Sequence, residues 1–218
     1  MCGRYVSPEQ ASIERAWQIR RSSGLDFPGR YNVQPSTDVP LLRLDGGELV
    51  LAAARWGLIP HWWKRDKPPT FTINARLEEA AGKPMWRDPL RHARCLLPAA
   101  GWYEWQDLPG GKQPHYIRRA DARPFCFAGL MSVWRDKLSC AILTKAAAGP
   151  AAEVHERMPL VLPDEAHAGW LDAELADASA YARDHALSAP FAHYAVSKRV
   201  NNARHEGPEL LDPLTPQP

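Results

Sequence analysis

The chain has 218 residues, of which 45% are hydrophobic and 24% charged, and its formal net charge is +2. That length suits one sizeable domain and is short for two, and the composition is ordinary for a soluble globular protein. A membrane-spanning helix is excluded, because no apolar run approaches ~20 residues, and the first residues lack the basic-then-apolar layout of a secretory signal.

In chain order, Ser7-Pro8-Glu9-Gln10 predicts a helix start, with Ser7 as N-cap and Pro8 in the first helical position. Ile13, Ala16, Trp17 and Arg20 follow at helical spacing, and Gly24 is the expected terminator. "VPLLRLDGGELVLAAA" reads as two strands joined by Asp45-Gly46-Gly47, a hairpin. Further strands are expected over 70–73, 94–97, 102–106, 114–119, 125–130 and 138–144, with a late one near 192–197. Short helices are expected near 76–81, 84–92, 164–172 and 177–186. Strands outnumber helices and follow one another directly. This predicts an α+β fold on an antiparallel, partly barrel-like β core with flanking helices. One domain over residues 1–205 is expected, with 206–218 as a flexible tail.

The four cysteines, Cys2, Cys95, Cys126 and Cys140, lie far apart and form no C-x-x-C pair. Neither a zinc site nor a disulfide framework is expected, and a reducing cytoplasm is the natural compartment. Nothing in the chain calls for a metal or organic cofactor. The small net charge conceals a segregation: residues 55–145 hold 16 Lys/Arg against 8 Asp/Glu, and 146–186 hold 2 against 8. A basic middle fits a polyanion partner or simply a solvated face.

That basic middle also holds six of the nine tryptophans: Trp56, Trp62, Trp63, Trp86, Trp102 and Trp105. Trp56 and Trp102 read as core, whereas Trp62, Trp63 and Trp105 sit among polar neighbours and read as exposed. Aromatic rings interleaved with cations suit single-stranded nucleic acid, where stacking contributes ~1–3 kcal/mol per base. "TINARLEE" places Asn74 at a strand end, where it is a turn residue or a ligand-binding amide. "GWYEWQ" sets Glu104 on the same strand face as Trp102. It is either a solvent-facing carboxylate or a buried one with a raised pKa. "VHERMP" puts His155 and Arg157 at a loop-to-strand junction, in a structural or a catalytic role.

As a set, "MCGRY", "RYNVQP", "RWGLIPHW", "INARLE", "CLLPAAGWYEW", "FAGL" and "VHERMPLVL" resemble the SRAP family of abasic-site-processing proteins, also called SOS-response-associated peptidases. The likeness runs in order from residue 1 to about 200. It implies a β-barrel-like α+β domain with a positive cleft for single-stranded DNA, and a covalent link between Cys2 and the ring-opened aldehyde of an abasic site. By motif, Cys2 is the nucleophile, Asn74 holds the sugar, Glu104 transfers protons and His155 assists ring opening. Arg4, Arg76 and Arg157 would meet phosphates, and Trp105 and Trp62 neighbouring bases. The family's peptidase name implies removal of Met1 by the protein itself, and the crosslink chemistry leaves an AP-lyase-type cleavage open. The implied location is the cytoplasm, at the nucleoid in a bacterium.

The residues suit that reaction. Once Met1 is gone, Cys2 carries an α-amine and a thiol on adjacent carbons. A reference α-amine titrates near pH ~7.8 against ~10.4 for lysine, so at neutral pH it is about 300-fold richer in the neutral, nucleophilic form. Imine formation followed by thiol attack closes a thiazolidine, an intramolecular step favoured by high effective molarity. Two other readings compete. One is an N-terminal-nucleophile amidohydrolase that also begins Met-Cys-Gly; the other is a noncovalent single-strand-binding module with an inert Cys2.

Overall fold

The computed structural model describes residues 2–22, 26–70, 72–172, 174–188 and 190–214. The chain opens with β1 (Arg4–Ser7), α1 (Gln10–Ala16), the two-residue β2 (Arg21–Ser22) and β3 (Arg30–Val33). The expected Ser7 cap is not used. Ser7 instead ends β1, pairing with Arg30, and Glu9 precedes the helix in extended conformation. Pairing of β1 on both sides outweighs the local helix signal. The helix then stops at Ala16, with Gln18 left-handed at φ 52°; Gly24, the expected terminator, lies outside the described residues.

The predicted hairpin is present as β4 (Asp38–Asp45) and β5 (Glu48–Trp56), in register from Asp45↔Glu48 to Asp38↔Arg55. Gly46 and Gly47 take φ 61° and 84°, the left-handed pair that a two-residue turn requires. The strand expected over 70–73 is displaced. It forms as β6 (Asn74–Arg76), leading into α2 (Leu77–Ala80) and α3 (Pro84–His92). Next come β7 (Arg94–Ala99), β8 (Gly101–Leu108), β9 (Gly111–Arg119), β10 (Phe125–Trp134) and β11 (Lys137–Ala146), each containing its expected run. The chain finishes with β12 (Arg157–Pro159), β13 (Val161–Leu162), α4 (His167–Leu171), α5 (Ala178–His185) and β14 (Phe191–Ala195), plus short 3-10 turns.

Five strands close a barrel in the order β11-β10-β7-β4-β5, sealed by parallel pairing of β5 with β11. A second, five-stranded sheet runs β14-β9-β8-β1-β3. The fold is therefore α+β on a largely antiparallel, partly closed β core. Barrel strands such as "FCFAGL" in β10 are buried on both faces, so they read as continuous apolar runs. Cys126, Ala128 and Leu130 pack towards Trp86, Leu90 and Trp170 of the helices. Phe125 and Phe127 pack towards Tyr5 and Trp102 of the second sheet.

Two features position the site. Beyond its contact with β5, strand β11 continues alongside β6, so β5 and β6 follow one another down the same neighbour. Between them, residues 57–70 form an excursion that carries Trp62, Trp63, Lys64, Arg65 and Lys67. The segment read as a flexible tail packs instead: Pro208–Leu211 forms a 3-10 turn, Leu210 is fully buried, and Pro213 bridges to Val196. Residues 215–218 lie outside the described residues. No helix among the described residues is long and apolar enough to cross a membrane.

Candidate active site

The chain start is held between the barrel and the second sheet. Arg4 pairs with Tyr103 and Tyr5 with Trp102, and extending that register by one residue sets Gly3 opposite Glu104. Cys2 is fully buried. Its carbonyl accepts a 2.7 Å hydrogen bond from Asn74 Nδ2, and its thiol lies 3.7 Å from the Arg4 carbonyl. Asn74 is delivered by β6, in register with Ile142 of β11. Its buried Oδ1 has no hydrogen-bond partner among the described residues, leaving one acceptor open beside the cysteine.

Glu104 is 2% exposed, on the β8 face that packs against the barrel. Burial raises its pKa to about 7, against a smaller downward pull from the Lys112 ammonium. The Cys2 thiol is pushed well up, first by burial and then by the Glu104 carboxylate, so the two groups share one electrostatic environment. At neutral pH the thiol is therefore protonated and Glu104 is poised between acid and base.

His155 lies half-buried after a 3-10 turn (Gly149–Glu153) that Gln106 of β8 anchors through the Glu153 carbonyl at 2.9 Å. Its Nδ1 accepts from the Arg157 backbone N–H at 2.9 Å, which leaves Nε2 to carry the ring proton. Burial lowers its pKa, keeping the imidazole neutral, and Lys112 pulls it the same way. The Lys112 ammonium of the β8–β9 hairpin bears on both Glu104 and His155.

The three arginines differ. Arg4 donates from Nη1 to Asn32 Oδ1 at 2.8 Å and to the Val200 carbonyl at 3.0 Å. Arg157 is held by Glu78 through a two-point ion pair of 2.7 and 2.9 Å and also donates to the Thr144 carbonyl. A phosphate at Arg157 would have to displace that carboxylate. Arg76 is exposed, 3.4 Å from Glu79. Trp62 is 44% exposed on the 57–70 excursion, as expected. Trp63 and Trp105 are half-buried rather than exposed, because their indole N–H groups bond Lys67 O and Asn201 Oδ1. Beside β6, a cavity of about 500 Å³ is lined by Arg55, Lys67, Thr72 and Ile73 among others.

Sequence reasoning did not single out Asn32, Glu78, Asn201, or the pair His115 and His193. Their roles come from pairings across 28 or more residues that no local motif signals. Among the described residues there is no group of three or more His, Cys, Asp or Glu able to hold a metal ion.

Comparison with known proteins decides the family. The model of the SOS response associated peptidase (SRAP) family matches residues 1–203. The chain belongs to the SRAP family. Similar SRAP relatives include abasic site processing protein YedK of Escherichia coli, 36% identical over 98% of this chain and all of that protein. YoqW of Bacillus subtilis, also named an abasic site processing protein, is 35% identical over 97% of this chain and 99% of its own length. Chicken HMCES, of the same description, is 32% identical over 98% of this chain and 78% of its own length. The SRAP architecture recurs in a solved Bacteroides thetaiotaomicron protein at TM-score 0.82 and 23% identity, covering 98% of this chain and all of that one. A phage-related protein of Bordetella bronchiseptica, 33% identical, matches at TM-score 0.72 over 90% of this chain and 95% of its own.

Proposed function

We propose that this protein processes abasic sites in single-stranded DNA by becoming covalently attached to them through Cys2 once Met1 has been removed. The observation that carries the reading is the meeting of Cys2, Asn74 and a buried Glu104 at one point, with an open acceptor on Asn74. The relatives' names supply the lesion. The single-strand preference in this reading is supported by the exposed Trp62 and by Lys64, Arg65 and Lys67 close to it in sequence, a combination that suits stacked bases and phosphates. In a bacterial cell such a substrate would bring the protein to the nucleoid.

The steps balance with the groups at hand. The neutral α-amine of Cys2 adds to the aldehyde carbon of the opened sugar, forming a C–N bond. Glu104 takes the ammonium proton and passes it to the alkoxide, then carries the remaining nitrogen proton to the resulting hydroxyl, which leaves as water and the neutral imine forms. The thiol then adds across the C=N bond, its sulfur to carbon and its proton by way of Glu104 to nitrogen, which closes the thiazolidine. A pKa near the working pH lets one carboxyl serve both directions. His155, neutral with its proton on Nε2, donates to the sugar ring oxygen and favours the open aldehyde. Asn74 orients Cys2 through its carbonyl and offers Oδ1 to a sugar hydroxyl. Arg76 is the arginine of the three best exposed for phosphate, and removal of Met1 would use the same site.

The test is a denaturing gel of the protein with a labelled single strand carrying one abasic site, alongside intact-mass analysis of the N-terminus. A heat-stable band shifted by one protein mass, absent with intact strand and with Cys2→Ala, is the expected result. Equal binding of intact and abasic strands with no covalent band, Met1 being absent, would leave a noncovalent strand-binding protein.

A further inference from the structure

Glu104 is buried, and with a pKa of about 7 it must lose its proton before it can act as the base, which calls for a path to solvent. On the same face of the second sheet, its direct cross-strand partner is His115 of β9, which is 9% exposed. Such partners have Cβ atoms about 4.5–5.5 Å apart. His115 Nδ1 lies 3.2 Å from Nδ1 of His193 on β14. His193 Nε2 in turn lies 3.2 Å from Glu153 Oε2, whose side chain is 69% exposed. Strand register thus sets His115 beside the buried acid, and two side-chain contacts lead from His115 to solvent. On that face Trp102, Ile117 and Phe191 follow towards one end, and Gln106 with its partner Gln113 towards the other, where Gln106 donates to the Glu153 carbonyl.

With both rings in the neutral form, the contacts fix the protons. A carboxylate only accepts, so His193 carries its proton on Nε2 towards Glu153. The neutral His193 ring then presents a lone pair at Nδ1, and the 3.2 Å contact requires His115 to donate from its own Nδ1. This leaves Nε2 of His115 as an unprotonated acceptor.

We propose that His115 and His193 are a proton relay between Glu104 and the surface carboxylate of Glu153. The proposal rests on the reading of Glu104 as the proton-transfer group. A proton leaving Glu104 adds to His115 Nε2, directly or through one water. The Nδ1 proton of His115 passes to His193 Nδ1, and the Nε2 proton of His193 passes to Glu153 or to water. One proton enters the row and one leaves, and the reverse sequence resets both rings. Burial lowers the pKa of His115, and His193 adds to this, so the ring gives up its extra proton readily. The titratable groups facing the row from neighbouring elements are Cys2 at the chain start, Lys112 on β9, and His155 beyond the 3-10 turn.

Single-turnover crosslinking of Met1-processed protein to an abasic oligonucleotide, in dilute buffer across pH 5.5–9, tests the relay. His115→Gln and His193→Gln keep polarity but cannot shuttle protons. Each is expected to slow adduct formation about tenfold or more, less than the roughly hundredfold or greater loss expected when the proton-transfer group itself is removed. Added imidazole should accelerate both variants and leave the wild type unchanged, and the double variant should be no slower than the slower single one. Wild-type rates in both variants, or slowing that imidazole leaves untouched, would overturn the relay while the crosslinking function stood. A wild-type protein that forms no adduct would overturn both. Histidine ¹⁵N NMR gives an arm independent of DNA: His115 should be protonated on Nδ1 and His193 on Nε2, and Glu104→Gln should shift the His115 titration. The opposite tautomers would overturn the proposal.

Discussion

Glu104 is costly where it sits, and the cost has a sign. Burial raises its pKa in the folded state from 4.5 to about 7. Below about pH 4.5 both folded and unfolded chains hold the proton and no stability is lost. As pH rises towards 7 the unfolded chain ionises first, and stability falls by up to about 3 kcal/mol. Glu104→Gln, which cannot ionise, should therefore melt higher than wild type at pH 8 and close to it at pH 4, a difference that scanning calorimetry would read. The same substitution should slow crosslinking at least a hundredfold, because one group supplies both the base and the acid. Wild-type crosslinking should accelerate as pH rises through about 7, where Glu104 and the Cys2 amine become bases. Asn74→Ala loses the bond to the Cys2 carbonyl. Stability should fall by about 1 kcal/mol in a denaturant titration, and the adduct should form much more slowly. The three other cysteines do nothing of this kind. Cys95, Cys126 and Cys140 are buried, free and pushed up by burial, which makes them inert packing groups.

At the scale of elements, β8 is the central piece. It pairs β1 on one side and β9 on the other, and so carries the chain start, Glu104 and the His115 row in one register. Gly101 opens this strand because a Cβ there would overlap the hydroxyl and ring of Tyr116. Tyr116 is itself packed against Tyr103 and Tyr194 and has little room to retreat. Gly101→Ala should destabilise the fold by about 1–3 kcal/mol and tilt β8, so a denaturant midpoint and a crosslinking rate should fall together. Arg157 acts at this scale as well. It bridges α2 through Glu78 and β11 through Thr144, and its backbone N–H orients His155. The ion pair also holds the Glu78 carboxyl below its ordinary pKa.

At the scale of the whole molecule, the C-terminal segment clasps the second sheet. Asn32, fully buried on β3, donates to the carbonyls of Val200, Asn202 and His205. Glu206 accepts from the Tyr31 N–H, and Leu210 fills the small core formed with Val6, Tyr103 and Tyr116. The same stretch supplies Asn201 to Trp105 and the carbonyl of Val200 to Arg4. Removing residues 206–218 should therefore lower the melting temperature rather than leave it unchanged. Leu210→Ala alone should cost about 2–4 kcal/mol in a denaturant titration.

The sequence by itself determined the α+β class, the Gly46-Gly47 hairpin, the buried Trp56 and Trp102, and most strands from β7 onward. In each case the signal is local: a turn that only glycine satisfies, or an apolar run whose length decides for strand. It also singled out Cys2, Asn74, Glu104 and His155, because their motifs are short and contiguous. Tertiary structure decided the rest. Ser7 joined a strand because Arg30 of β3 pairs with it, and Pro208–Leu211 packed because Val6 and Tyr103 left a place for Leu210. Whether Glu104 faced solvent or the interior depended on which face of β8 met the barrel. The row from Glu104 to Glu153 exists only because β8, β9 and β14 lie side by side in one register. Strand register is set by contacts between distant segments, and a one-residue slip would turn every one of those side chains to the other face.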